Sequence, residues 1–350
     1  MPTGTETKWR ENAAHFSHRQ NEDSMPASAD ADGPSSFVNL LAVAVLAYAH
    51  KICRGHDMIL ITGSTGLIGS EVLRLLSRAS VSTRALVRDP SRAQTLPGIT
   101  SVRGDLARPE ALASDFAGCT KLFLLTGNVE HAAELQQHAI AAAREAGVAH
   151  VVKLSAFGAS PHSNSSIGRM HYQIEKELQA SGMAWTMLRP HHFMQNLLGQ
   201  ADNIINEGVV YSSSGDGKIP FVDTRDIAAV AAVTLTEPGH AGKKYVVTGS
   251  EAISYRQATD ILGETIGRPL RFIDEHPDEA RTRLTRAGQP SWLVESLLAI
   301  AAYQRAGGPT ETITSVVADL TGKPARTFAA FARDHAGAFQ RPAGTQPSCD

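Results

Sequence analysis

Cysteine is the first thing this sequence has little of: Cys53, Cys119 and Cys349 are its only three in 350 residues, and they lie far apart. That spacing provides neither a disulfide framework nor the close pairs of a metal site, and the expected compartment is the reducing cytosol. Charge of one sign is not in excess either. With 33 Lys and Arg against 35 Asp and Glu, the formal charge is -2, and no basic run marks a surface for nucleic acid or an anionic membrane. A long apolar run is also missing. The stretch "FVNLLAVAVLAYA", Phe37 to Ala49, has thirteen residues, short of the about 20 that cross a bilayer. Ala47-Tyr48-Ala49 resembles a small-x-small cleavage site, but no Lys or Arg lies between Met25 and Phe37, so the positive start of a secretory signal is absent. Residues 1–57 read as a disordered leader, and the functional chain is expected to begin near Met58.

What is present is a hydrophobic share of 42%, ample for a real core. From Met58 onward, short Val-, Ile- and Leu-rich runs alternate with helical patterns: "MILIT", "STRALV", "ITSVRG", "KLFLLT", "HVVKLS" and "AWTMLR" as strands, with "LIGSEVLRLLSRA" and "EHAAELQQHAIAAAREAG" among the helices. Such alternation predicts right-handed βαβ crossovers and a parallel sheet. The fold class is therefore α/β, a Rossmann-type doubly wound parallel sheet over residues 58–190. A smaller, mainly helical substrate-binding region follows over 191–338, and residues 339–350 read as a disordered tail. In that second part, "FMQNLLGQADNIINEG" and "TRDIAAVAAVTLT" predict helices, "SSSGDGK" a turn and "KKYVVTG" a strand.

Thr62-Gly63-Ser64-Thr65-Gly66-Leu67-Ile68-Gly69 sets three glycines at three-residue intervals between a predicted strand and a predicted helix. The turn needs positive φ, a pyrophosphate needs bare backbone at a helix N-terminus, and the helix needs a residue without a side chain where it crosses the strand. Gly63, Gly66 and Gly69 answer those demands, and the whole segment is a candidate dinucleotide cradle. After the second strand, Arg88 in "LVRDPSR" is placed to meet a 2′-phosphate, which favours NADP(H); if Asp89 instead holds the ribose, NAD(H) fits. Asp105 and Leu106 follow the third strand, where Asp105 faces either the adenine amino group or the start of the next helix. Thr126, Gly127 and Asn128 end the fourth strand, where backbone passes close to a cofactor ribose. No ligand set for a metal is seen.

On these residues the chain resembles the NmrA-like, atypical short-chain dehydrogenase/reductase family, over about Met58 to Ala338. The resemblance is carried by "ILITGSTGLIG", "ALVRDPSRA", "VVKLSAFGA", "HYQIEKELQASGMAWTMLRPHHFMQN", "VDTRDIAAVA" and the later "YVVTGSEAISYRQATDILGETIGRP". It implies an NAD(P)H-dependent reductase of quinones, azo dyes or triphenylmethane dyes, acting on a small planar molecule. The same family includes a nitrogen-metabolite regulator, so the alternative is an NADP-sensing protein without turnover, with a regulatory partner or a homodimer as its assembly. A sugar-nucleotide epimerase fits the fold but lacks the Ser-rich stretch after the fifth strand.

Tyr172 and Lys176 stand four apart in "HYQIEK", on one face of a helix. A lysine beside a tyrosine lowers its pKa and binds the nicotinamide ribose, as the Tyr-x-x-x-Lys pair does in typical short-chain dehydrogenases. Tyr172 and Lys176 are the catalytic candidates, with Ser155 at the end of the fifth strand to hold the substrate oxygen; Lys176 and Ser155 also count as cofactor contacts. Ala156 and Phe157 follow Ser155 where a hydroxyl is wanted. Phe157, His192 and Phe193 are the candidate substrate contacts.

Overall fold

The computed structural model describes residues 57–340; the leader and tail expected at the two ends fall outside them, apart from Asp57, Phe339 and Gln340. Six short apolar runs form parallel strands: β1 (Ile59–Ile61), β2 (Thr83–Val87), β3 (Ile99–Arg103), β4 (Lys121–Leu124), β5 (His150–Leu154) and β6 (Ala184–Pro190). Between them lie α1 (Leu67–Arg78), α2 (Pro109–Phe116), α3 (Ala132–Glu145) and α4 (Ser166–Ala180). The sheet has the order β3-β2-β1-β4-β5-β6-β8, with β8 (Lys243–Val247) as its last strand. The strands all run parallel, but the order in which they are added reverses between β1 and β4, so a crevice opens at the C-terminal ends of these two strands.

Both faces of the sheet are covered, which is why its strands read as continuous apolar runs rather than as alternation. Ile59, Ile61, Phe123, Val152, Leu154 and Leu188 meet Val72, Leu73 and Leu76 of α1 and Ile227, Ala228 and Ala231 of α6 (Thr224–Thr236). On the opposite face, Leu60, Leu122, Leu124, Val151 and Met187 pack against Leu112, Ala139, Ala143, Ile174 and Leu178 of α2, α3 and α4. α3 stops just before Gly147, whose φ of 75° is one that L side chains rarely adopt.

The single helix expected from Phe193 to Gly208 is instead a 3-10 segment, Met194–Gln200, followed by α5 (Ala201–Glu207). Tertiary ties explain the break: the Met194 amide donates to Val222 O, and the Gln200 side chain bonds both the N–H and the C=O of Tyr211. Two four-residue strands went unanticipated, β7 (Val209–Ser212) and β9 (Arg271–Asp274), which pair in parallel as a separate small sheet. Runs of four carry too little periodicity to stand out. The remaining helices are α7 (Tyr255–Ile266), α8 (Pro277–Arg286), α9 (Ser291–Arg305), α10 (Val316–Thr321) and α11 (Phe328–Asp334).

Three expected boundaries are corrected. β8 extends the main sheet from β6, pairing Thr186 with Lys243 through Pro190 with Val247, and α6 packs on α1. The chain after Pro190 therefore returns to complete the Rossmann layers, and no division between compact units falls at Pro190. Phe339, expected to open the disordered tail, is fully buried with Phe328 and Phe331 in a third core cluster. At the other end Asp57 accepts from the Thr120 hydroxyl and pairs with Lys121, so the fold already includes it.

Candidate cofactor and active site

Gly63 has a φ of 60°, and a Cβ added there would lie 2.8 Å from the Leu125 side chain and 2.9 Å from the Leu125 carbonyl oxygen. At Gly69 an added Cβ would be 2.3 Å from Gly63 O, the close crossing of helix and turn that only glycine permits. Gly66, the N-cap of α1, has open space by comparison, its nearest contact being 3.4 Å away. The amides of Leu67, Ile68 and Gly69 donate to nothing among the described residues, and so the first turn of α1 presents free N–H groups, the requirement for an anion.

The neighbouring side chains divide into two groups. Thr62, Ser64 and Ile68 point into the fold: the Thr62 hydroxyl bridges to Leu125, donating to its carbonyl at 2.9 Å, and the Ser64 hydroxyl donates to Leu86 O at 2.8 Å. They set the turn, and any contact they make with a ligand is through backbone. Thr65 and Leu67 are exposed at the crevice, Leu67 to 63%. Past β2, Asp89 spends one carboxylate oxygen on the Ser91 amide and hydroxyl, at 3.0 and 2.8 Å, and these bonds hold its pKa below the ordinary value. Arg88 is exposed and makes no hydrogen bond or ion pair among the described residues. Asp105 accepts from the Ala107 amide at 3.0 Å, closing the turn into α2, and the carbonyl of buried Leu106 bonds His138. Thr126 receives the Gln136 side-chain amide at 2.9 Å, while Gly127 and Asn128 are exposed.

At the ends of β5 and β6 the structure departs from expectation. Lys176 is exposed, and neither its ammonium nor the Tyr172 hydroxyl makes a hydrogen bond among the described residues. The pair one residue earlier on α4, His171 and Glu175, has the same spacing and faces the sheet. Ser155 donates to Glu175 Oε1 at 2.6 Å; Arg189 grips both oxygens of the same carboxylate, at 2.8 and 2.5 Å; Lys244 lies 3.5 Å from it. Burial alone would raise the Glu175 pKa, but the hydrogen bonds from Arg189 and Ser155 and the charges of Arg189 and Lys244 carry it below its ordinary value. Lys153, fully buried on β5, donates to Leu154 O at 3.1 Å and shares a hydrogen bond with His171 Nδ1 at 2.9 Å. Burial draws its pKa down to about 7, with Glu175 opposing and Arg189 assisting.

Tyr172 and Lys176 do not join Ser155, because one residue along a helix is a rotation of about 100°. Ser155 directs its proton at Glu175 rather than at a substrate oxygen. His171 and Glu175 were within reach of a sequence reading as a second i, i+4 pair, whereas the partners Lys153, Arg189 and Lys244 carry no local signature.

Of the substrate candidates, Phe157 is half-buried and stacks on His191, ring centroids 4.5 Å apart. His192 is half-buried, bonds the Tyr255 hydroxyl at 2.9 Å and sits edge-on to Phe221. Burial pulls the two histidines down to about 3 and about 4, so both are neutral at physiological pH. Phe193 packs instead against the core under the sheet, its backbone bridged to Val222. Among the described residues no cluster of His, Cys, Asp and Glu suits a metal, and no helix is long and apolar enough to cross a membrane.

The profile of the NmrA-like family matches residues 55–316. The NAD(P)H azoreductase of Xenophilus azovorans is 41% identical over 287 residues, which is 81% of this chain and 99% of that enzyme. Among solved structures, an NADPH-dependent quinone oxidoreductase of Escherichia coli complexed with NADPH is 30% identical with a TM-score of 0.73, covering 79% of this chain and 99% of the other. The triphenylmethane reductase of Citrobacter sp. complexed with NADP(H) is 25% identical with a TM-score of 0.71, with the same two coverages.

Proposed function

The chain belongs to the NmrA-like family, and from that premise we propose that it is an NAD(P)H-dependent reductase that delivers hydride from NADPH to a small planar acceptor such as a quinone or a conjugated or dye-like molecule. The observation that carries the reading is the α1 turn. It combines an unhindered Gly66, a close crossing at Gly69 and three undirected amides, which together fit a pyrophosphate. Gly63 to Gly69 hold the phosphates through backbone, Arg88 meets the 2′-phosphate, and Asp105, Leu106 and Thr126 to Asn128 flank the adenosine and ribose. NADP(H) is preferred over NAD(H) because Asp89 is engaged by Ser91 while Arg88 is free to bind.

Bound there, the reduced nicotinamide supplies the hydride, and the protein supplies orientation and exclusion of water. Phe157 and His192 offer a flat apolar wall and a neutral imidazole at the ends of β5 and β6. Ser155, Glu175 and Arg189 tie β5, α4 and β6 together behind them, and so set the shape of the pocket floor. The direct test is calorimetric titration with NADPH and NADH, followed by loss of cofactor absorbance with a quinone and azo-dye panel. NADPH binding with turnover supports the reading; tight binding with no turnover on any acceptor moves the protein to the sensing class. Placement in the reducing cytosol rests on the scarcity of cysteine, and self-association as a homodimer is decided by sedimentation velocity.

A further inference from the structure

The buried carboxylates Glu175, Asp223, Asp226 and Glu275 each bind an arginine. Lys153 is buried just as deeply, at 0% exposure, and no carboxylate lies within ion-pair distance of it among the described residues. An unpaired buried cation opposes folding, and a packing role at this position is filled better by Met or Leu. The ammonium has two partners, Leu154 O and His171 Nδ1. While Lys153 is an ammonium it can only donate, so Nδ1 then accepts and the neutral ring carries its proton on Nε2. His171 is partly open to the surface, and Nε2 meets no hydrogen-bonding partner among the described residues. Lys153 lies two residues before Ser155 on the same face of β5, and His171 lies one turn before Glu175 on α4, so the pair adjoins the C-terminal edge where β4 and β5 end.

Resting on the reductase reading, we propose that His171 Nε2–H protonates the acceptor and that Lys153, acting through Nδ1, replaces that proton. Hydride adds to one atom of an N=N or conjugated C=O group, and the displaced electron pair on the far heteroatom takes the proton from Nε2. Nδ1 takes one from the Lys153 ammonium, leaving a neutral amine and the opposite imidazole tautomer; water then reprotonates Nε2 and the Nδ1 proton returns to Lys153. Burial, which sets the Lys153 ammonium near neutrality, makes it an effective source at working pH. The groups facing it are His171 and Glu175 from α4 and Arg189 from β6.

Acceptor chemistry separates this role from a structural one. A neutral azo dye needs both hydride and proton, whereas a cationic triarylmethyl dye needs hydride alone. In single-turnover reactions with NADPH, Lys153→Met is expected to slow azo reduction about 100-fold and to change reduction of the cationic dye by less than about threefold, with NADPH affinity unchanged. His171→Gln, which keeps an N–H donor but breaks the relay, should show the same split and serves if Lys153→Met does not fold. Wild-type azo reduction should fall as pH rises past about 7, a limb absent with the cationic dye. Without cofactor, 15N spectra of the histidine rings should show His171 as the Nε2–H tautomer in the wild type and lose that preference in Lys153→Met. Equal loss with both dyes, unchanged azo reduction, or an Nδ1–H tautomer in the wild type overturns the proposal. A wild-type protein that binds NADPH and reduces neither dye overturns the reductase reading, and this inference with it.

Discussion

The turn between β1 and α1 and the seam between β5, α4 and β6 face the same edge of one sheet and are built on opposite principles. The turn works through bare backbone at its glycines: Gly69 lets backbone cross where a methyl group would sit 2.3 Å from an oxygen. The seam works by crowding polar side chains out of water, with Ser155, Glu175, Arg189, Lys153 and His171 all bonded within it. A site of the first kind depends on residues seven apart at most; one of the second kind depends on partners brought together from three elements. The two therefore respond differently to substitution.

The strongest way to break the comparison is at the turn. Gly69→Ala is expected to abolish measurable NADPH binding and to cost about 2 to 3 kcal/mol of stability through overpacking against backbone, as read by calorimetry and urea denaturation. Gly66→Ala, with open space for its methyl, should keep the stability and lose affinity, so equal stability loss in both would mean that the turn is only a packing feature. At the seam, Glu175→Gln leaves Arg189 without its carboxylate and should cost about 3 kcal/mol at neutral pH. Because the folded-state pKa of Glu175 lies below its ordinary 4.5, its contribution is full above that value and is lost as pH falls through the lowered one. The gap between wild type and variant should accordingly narrow in acid, which denaturation at a series of pH values checks.

Smaller effects sharpen the picture. Arg88→Ala should reduce the preference for NADPH over NADH by about 10-fold to 100-fold, the worth of a charge-assisted phosphate contact, measured as a ratio of kcat/KM values. The smallest effect is expected where the residues alone suggested the largest. Tyr172→Phe and Lys176→Ala should leave kcat within about twofold and stability within about 0.5 kcal/mol, as exposed or unpartnered positions do. A large loss in either would restore the Tyr-x-x-x-Lys pair and unseat the seam.

How much was legible follows from this contrast. The alternating strands and helices, the glycine spacing and Arg88 are local patterns, and they led to the Rossmann sheet and its dinucleotide crevice. The helix carrying the site was also legible, as was the four-residue spacing on it. Its phase was not: "HYQIEK" contains two i, i+4 pairs, and hydrophobic positions Ile174 and Leu178 define the inward face only loosely. The break at Met194–Gln200 escaped because bonds to Val222 and Tyr211 impose it, and the strands β7 and β9 because each is short and is made by pairing with the other, far away in sequence.

Taken alone, the order of residues determined the class of fold and the place of the glycine turn between β1 and α1, since each rests on periodicity or on the conformational freedom of glycine over a few positions. Only the tertiary structure decided which face of α4 meets the sheet, that Glu175 joins Ser155 to Arg189, and that Lys153 is buried against His171. The physical reason is that burial and pairing are properties of contacts made across β5, α4 and β6, and a charged residue carries no mark in its own neighbourhood of which partner, or how little water, the folded chain will bring to it.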